Sequence, residues 1–154
     1  MQVFGETEAA YLAGLIDGEG CFTASVSGKA VNAALELTGC DRALIDSLVA
    51  TTGLGSVSTR PSKGNARASH RWKVSLVALR PLLGRIKPYL RSKLKQCEIF
   101  ELLANRPSPT RFETTEQLSL VARLRSANAR SGLRYERSEG CLAVLVLVWV
   151  LSWL

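Results

Sequence analysis

The chain has 154 residues, a length that suits one domain with a sizeable core. Its 20 Lys+Arg against 13 Asp+Glu give a net charge of +7, with Arg in excess, which favours a polyanion as partner. Four cysteines far apart (Cys21, Cys40, Cys97, Cys141), no C-x-x-C pair and one histidine, His70, argue against a structural zinc site and for reduced thiols in an intracellular protein.

In chain order, a first helix is expected from Thr7 to Asp17, with Thr7 as its N-cap and Glu8 in the first turn. No secretory leader is expected ahead of it. Cys21 to Ser27 alternates: Phe22, Ala24 and Val26 share one face, and Thr23, Ser25 and Ser27 the other. Gly28-Lys29 fits a two-residue hairpin turn. The strand Ala30 to Thr38 returns with Val31, Ala33, Leu35 and Leu37 on one face and Asn32, Ala34 and Glu36 on the other. Asp41 reads as the N-cap of a second helix with Leu44, Ile45 and Leu48 as its apolar stripe, ended by Gly53 and Gly55.

A third strand is expected over Ser56–Arg60, a turn over residues 61–65, and a fourth strand over Arg67–Leu76. In that fourth strand Arg67, Ser69, Arg71, Lys73 and Ser75 alternate with Ala68, His70, Trp72, Val74 and Leu76. Pro81 and Pro88 fit helix first turns, predicting helices over Pro81–Ile86 and Pro88–Ala104. Thr114-x-x-Gln117 is a capping box that opens a last helix to Asn128. The tail from Cys141 to Leu154 carries no charge. It falls short of the roughly 20 apolar residues that span a bilayer, so a membrane partner is not expected. A buried element, an insertion segment and a read-through extension remain open for it.

The expected order is α-β-β-α-β-β-α followed by more helix: an α+β fold whose curved antiparallel four-stranded sheet is covered by helices on one face. The other face stays wet and carries Arg60, Arg67, Arg71 and Lys73 beside Ser, Thr, Asn and Glu side chains. A β-ribbon of that kind can enter the major groove, where each base pair shows a distinct donor and acceptor pattern. The candidate DNA-binding residues are Thr23, Ser25, Ser27, Lys29, Asn32, Glu36, Ser58, Arg60, Arg67, Ser69, Arg71 and Lys73.

The run Tyr11-Leu12-Ala13-Gly14-Leu15-Ile16-Asp17-Gly18-Glu19-Gly20 joins an apolar stripe (Leu12, Leu15, Ile16), small residues that permit close helix approach, and two carboxylates at a helix end followed by a glycine exit. It resembles the LAGLIDADG motif of homing endonucleases. The resemblance covers residues from about 7 to 135. It implies that the motif helices of two domains pack together through Leu12, Ala13, Gly14 and Asp17. It also implies that Glu19, as the last acid, binds divalent metal (Mg²⁺ or Mn²⁺) at the scissile phosphate, with the Gly18 carbonyl as second ligand. The physical reason is charge: such ions offset the negative charge of a phosphodiester transition state and activate water. Asp17 is expected to hydrogen-bond at the helix end.

Within Pro88-Tyr89-Leu90-Arg91-Ser92-Lys93, the resemblance makes Lys93 the basic catalytic residue, with Arg91 and Lys95 on the adjoining surface. Residues 124–131 match a region where the family contacts backbone phosphates. One departure is the lack of a Gln after the second strand: in Leu37-Thr38-Gly39-Cys40-Asp41, either Thr38 takes its place or cleavage is weak. With one motif, the chain reads as half of a homodimer that hydrolyses both strands of a long pseudo-palindromic double-stranded DNA. The rivals are an intron-splicing maturase of the same fold and a catalytically silent DNA-binding regulator. The expected setting is a bacterial cytoplasm or an organelle. Residues 1–140 are expected to form the endonuclease domain, with the tail apart.

Overall fold

The computed structural model describes residues 4–63, 67–107, 109–111 and 114–130. The elements are α1 (Glu6–Glu19), β1 (Gly20–Ser27), β2 (Ala30–Gly39), α2 (Arg42–Thr52), β3 (Ser56–Arg60), β4 (Ser69–Ser75), α3 (Leu76–Ile86), a 3-10 turn (Lys87–Tyr89), α4 (Leu94–Ala104) and α5 (Thr115–Arg130). The α-β-β-α-β-β-α order is therefore present, with two further helices. The four strands form one antiparallel sheet in the order β1-β2-β4-β3.

Alternation decides which face of the sheet is covered, because successive side chains on a strand point to opposite sides. Phe22, Leu35, Leu37, Trp72 and Val74 are buried on the helix side, where Phe22 meets Phe100 of α4 with ring centroids 5.2 Å apart. Trp72 satisfies its one donor by giving Nε1–H to the Leu54 carbonyl at 2.9 Å. The register Cys21↔Glu36↔Lys73↔Ser56 runs across the opposite face and fixes it as the polar one. The β1–β2 hairpin turns at Gly28 (φ 56°), a left-handed conformation that glycine adopts without strain. Asp41 caps α2 by accepting from the Leu44 N–H at 3.1 Å, and Gly53 (φ 66°) closes that helix.

Four local expectations need correction. At the start of α1 the Gly5 N–H donates to the Glu8 carboxylate at 3.0 Å, so Thr7 lies inside the first turn and is not the N-cap. The fourth strand is Ser69–Ser75, shorter at both ends than Arg67–Leu76. The Ser75 hydroxyl accepts from the Ala78 N–H at 3.4 Å and starts α3 there. Pro81 consequently sits inside α3 rather than in its first turn. The bond it cannot donate would have gone to the Val77 carbonyl, and Val77 is exposed, so water can serve that oxygen. The long helix expected from Pro88 to Ala104 is broken into the 3-10 turn, an extended Leu90 and then α4.

The sheet's β1 edge is closed by α5. Arg125 donates from Nε to the Ala24 carbonyl at 3.2 Å, and Asn128 from Nδ2 to the Phe22 carbonyl at 2.8 Å. These two side chains, within the run 124–131, take up edge carbonyls that would otherwise be open to pairing. The capping box before α5 is present in both directions: Thr114 N–H donates to Gln117 Oε1 at 3.1 Å, and Gln117 N–H to Thr114 Oγ1 at 3.4 Å. The tail 141–154, residues 64–65 of the expected turn and the end of the 124–131 run lie outside the described residues.

Candidate active site and nucleic-acid interface

α1 ends where β1 begins. Its last residue, Glu19, is exposed, and Gly20 opens β1 directly. Gly20 is extended (φ −78°), so the glycine is required by space and not by a left-handed exit: a Cβ there would meet Ile16 Cα at 2.7 Å and Ile16 O at 2.8 Å. This close fit sets the sharp passage from helix to strand and holds Glu19 at the corner.

Asp17 points the other way, into the break between the 3-10 turn and α4. Its carboxylate accepts from the backbone N–H of Arg91 at 2.8 Å and of Lys93 at 2.9 Å. The Ser92 hydroxyl and the Lys93 Nζ both donate to the Asp17 carbonyl at 3.3 Å. Burial alone would push the Asp17 carboxyl up. The N–H donors of Arg91 and Lys93, with help from Ser92, outweigh it and hold the group below the usual carboxylate range. The bonds also explain why the expected long helix breaks: N–H groups given to a carboxylate cannot bond carbonyls four residues back.

Lys93 is 5% exposed, with its ammonium against the C-terminal end of α1, where the helix dipole is negative. That places a fixed positive charge at the carbonyl of Asp17, the residue two before Glu19 in the chain. Its field reaches Cys21, whose thiol is nonetheless pushed up by burial. Thr38 follows Leu37, the partner of Gly20, and so lies just past the end of β1, where α1 stops.

Among the described residues no three His, Cys, Asp or Glu side chains form a metal-binding group. The donors at the corner are one exposed carboxylate, Glu19, and the backbone carbonyls of a helix end, which lack intrahelical partners. Oxygen donors with a single carboxylate suit Mg²⁺, which commonly takes one or two carboxylates and completes its shell with water and substrate phosphate.

The polar sheet face carries Thr23, Ser25, Ser27, Asn32, Glu36, Ser58, Arg60, Ser69, Arg71 and Lys73 in register, with Lys29 at the hairpin tip. Thr23 is committed to the Ala34 carbonyl at 3.1 Å. Glu36 pairs with Lys73 at 3.2 Å and Arg71 at 3.5 Å, so the centre of the face is a lattice of charge and not a run of separate cations. Arg67 precedes β4 and is outside the sheet, because pairing stops at Arg60↔Ser69.

The face that α1 turns outward differs from the expected one. Leu12 (2% exposed) and Ala13 (0%) are buried in the chain's own core, and Asp17 is docked on residues 91–93. Of the four residues expected at an interface only Gly14 faces solvent, along with Thr7, Ala10, Tyr11 (58% exposed) and Gly18. A Cβ added at Gly14 or Gly18 would meet nothing within 4 Å, so nothing within the described fold requires glycine there. The outward set was readable: Thr7, Tyr11, Gly14 and Gly18 recur at i, i+4, i+7 and i+11, a single helical face. Consecutive small residues such as Ala13 and Gly14 lie on different faces, and reading them together hid it.

No protein-family model and no curated protein matches the sequence. Solved structures do match. The chain is similar to the homing endonuclease I-CvuI in complex with its target, at TM-score 0.62 and 20% identity over 92% of this chain and 90% of that one. It is similar to the archaeal intron-encoded homing endonuclease I-Vdi141I complexed with DNA, at TM-score 0.66 and 18% identity over 87% of this chain and 90% of that one. It is also similar to the I-LtrWI LAGLIDADG homing endonuclease bound to target DNA, at TM-score 0.59 and 27% identity over 75% of this chain and 42% of that one.

Proposed function

The chain has the fold of the LAGLIDADG homing endonucleases and carries one copy of their motif, and from that premise we propose that it is a site-specific, divalent-metal-dependent DNA endonuclease acting as a homodimer. The observation that carries the reading is the corner where α1 meets β1. It presents Glu19 to solvent beside a basic sheet face and backs it with the buried Lys93 ammonium. Residues 1–140 are taken as the endonuclease domain, acting on DNA inside the cell.

The polar sheet face lies in the major groove, with Arg71, Lys73 and Arg60 toward phosphates and base edges. Glu19 and the Gly18 carbonyl are the residues that would hold Mg²⁺ at the scissile phosphate. The ion, when bound, neutralises charge in the transition state and lowers the pKa of the attacking water. Lys93 adds a fixed positive charge from beneath, and Asp17 keeps it there by anchoring the 91–93 backbone. One chain supplies one acid, so cutting both strands takes two copies related by a two-fold axis. The outward α1 face of Tyr11, Gly14 and Gly18 is where they meet, and it would set the two corners close enough for short 3′ overhangs.

The test starts from a randomised duplex library, from which the wild-type protein recovers its target. On that target in Mg²⁺, Glu19→Gln is expected to bind as wild type and not cut. Near-wild-type cutting by the variant overturns the assignment of Glu19. Binding without cutting by the wild-type chain would favour the silent regulator.

A further inference from the structure

β2 is longer than its partner β4, which pairs only with Ala34–Gly39. Beyond Ala34 the edge of β2 is taken by the segment between α4 and α5. Ala30 and Arg111 form an antiparallel bridge, and the Val31 N–H donates to the Thr110 carbonyl at 2.8 Å. Facing residues of an antiparallel pair point to the same side of a sheet. Ala30 shares the side of Asn32 and Glu36, so the exposed Arg111 lies on the polar face, although it is remote in sequence from every strand of it. Gln117 secures the segment. Its side chain is 2% exposed and donates from Nε2 to the Arg111 carbonyl at 2.9 Å.

Resting on the endonuclease reading, we propose that Arg111 is a DNA-phosphate contact that anchors the outer end of each half-site. Ser27, Ala30 and Arg111 form one row at the far end of the face, and Gly20, next to Glu19, marks the near end. β1 has eight residues, so at ~3.3 Å per residue the rows are about 23 Å apart. That is roughly seven base pairs at ~3.4 Å each. At the far end the bridging residue Arg111, β2 and β1 lie side by side, with neighbours ~4.8 Å apart. Arg111 and β1, on the two sides of β2, are then about 10 Å apart, close to the major-groove width of ~12 Å. A side chain at this lateral position therefore meets the phosphate wall, while β2 in the middle meets base edges. Among the described residues Lys29, at the hairpin tip, also lies at this end, and Arg71 and Lys73 lie further in, against Glu36.

The experiment measures binding of the full chain to a random-sequence duplex over a salt series, with melting temperature as a control. Arg111→Ala is expected to lower the salt slope by one to two units, ~0.9 for each phosphate that a copy no longer neutralises, while remaining folded at the assay temperature. Arg111→Lys is expected to keep the wild-type slope, because a phosphate accepts either cation. An unchanged slope in Arg111→Ala overturns the proposal, as does a reduced slope shared by Arg111→Lys or accompanied by unfolding at the assay temperature. If the wild-type chain itself fails to bind duplex DNA, the endonuclease reading fails; if it binds and Arg111→Ala binds equally, only this inference does.

Discussion

Replacing Asp17 tests how the corner is held. Asp17→Ala removes two backbone N–H bonds to a carboxylate, at 2.8 and 2.9 Å. Bonds to a charged group contribute ~1.5–3 kcal/mol each, and the lower end applies because Arg91 is exposed. The loss should total roughly 2–4 kcal/mol. In a domain of this size that lowers the melting temperature by roughly 5–15 °C. Asp17→Asn keeps the shape but turns one acceptor into a donor facing an N–H, so about half the loss or more is expected. The acid limb gives a second reading. The Asp17 carboxyl is held below its ordinary value of 3.8 in the folded chain, so its stabilisation is present above that pH and is lost as pH falls through the lower folded value. The gap between wild type and Asp17→Asn should be constant near neutrality and narrow only in acid below about pH 4. Thermal unfolding by circular dichroism measures both, and single-turnover cleavage should slow because Lys93 loses its anchor. An Asp17→Ala protein that melts with the wild type would show that residues 90–93 are held by other bonds, and the explanation of the helix break would fall.

Gly14→Leu should leave the fold intact, since no atom lies within 4 Å of its Cβ position, yet convert the proposed dimer to monomer by light scattering through overpacking worth ~1–3 kcal/mol. A variant that remains dimeric would move the interface off α1. Gly55→Ala should lower the melting temperature by several degrees: the residue has φ 81°, and its Cβ would lie 2.5 Å from the Lys73 carbonyl and 2.8 Å from Trp72 Nε1, strain of about 1–3 kcal/mol or more. Unchanged melting would mean that β4 yields at this point. Arg71→Ala and Lys73→Ala should each weaken duplex binding and reduce its salt slope by about one unit per phosphate contact. A variant that alters neither affinity, slope nor base preference places its residue off the DNA.

The features legible in the residues alone are those that local chemistry controls. Period-two alternation placed the faces of β1, β2 and β4, since a one-residue slip would send Phe22, Leu35 and Trp72 into water. Asp41, Gly53 and the Thr114–Gln117 pair marked helix ends because their partners lie within four residues. The motif at residues 11–20 located the corner with Glu19. Tertiary structure alone decided the rest. The helix expected from Pro88 breaks because a carboxylate 74 residues away in the chain, that of Asp17, takes its N–H groups. Arg125 and Asn128 reach the β1 edge carbonyls because, among the described residues, no strand pairs with that edge. Leu12 and Ala13 face inward because α3 and the sheet close over that side of α1, leaving Tyr11, Gly14 and Gly18 outside. Arg111 joins the polar face because β2 outruns β4 and its open backbone groups need a partner. Each is a bond or packing between segments far apart in sequence, whose residues carry no local sign of the partner they will meet.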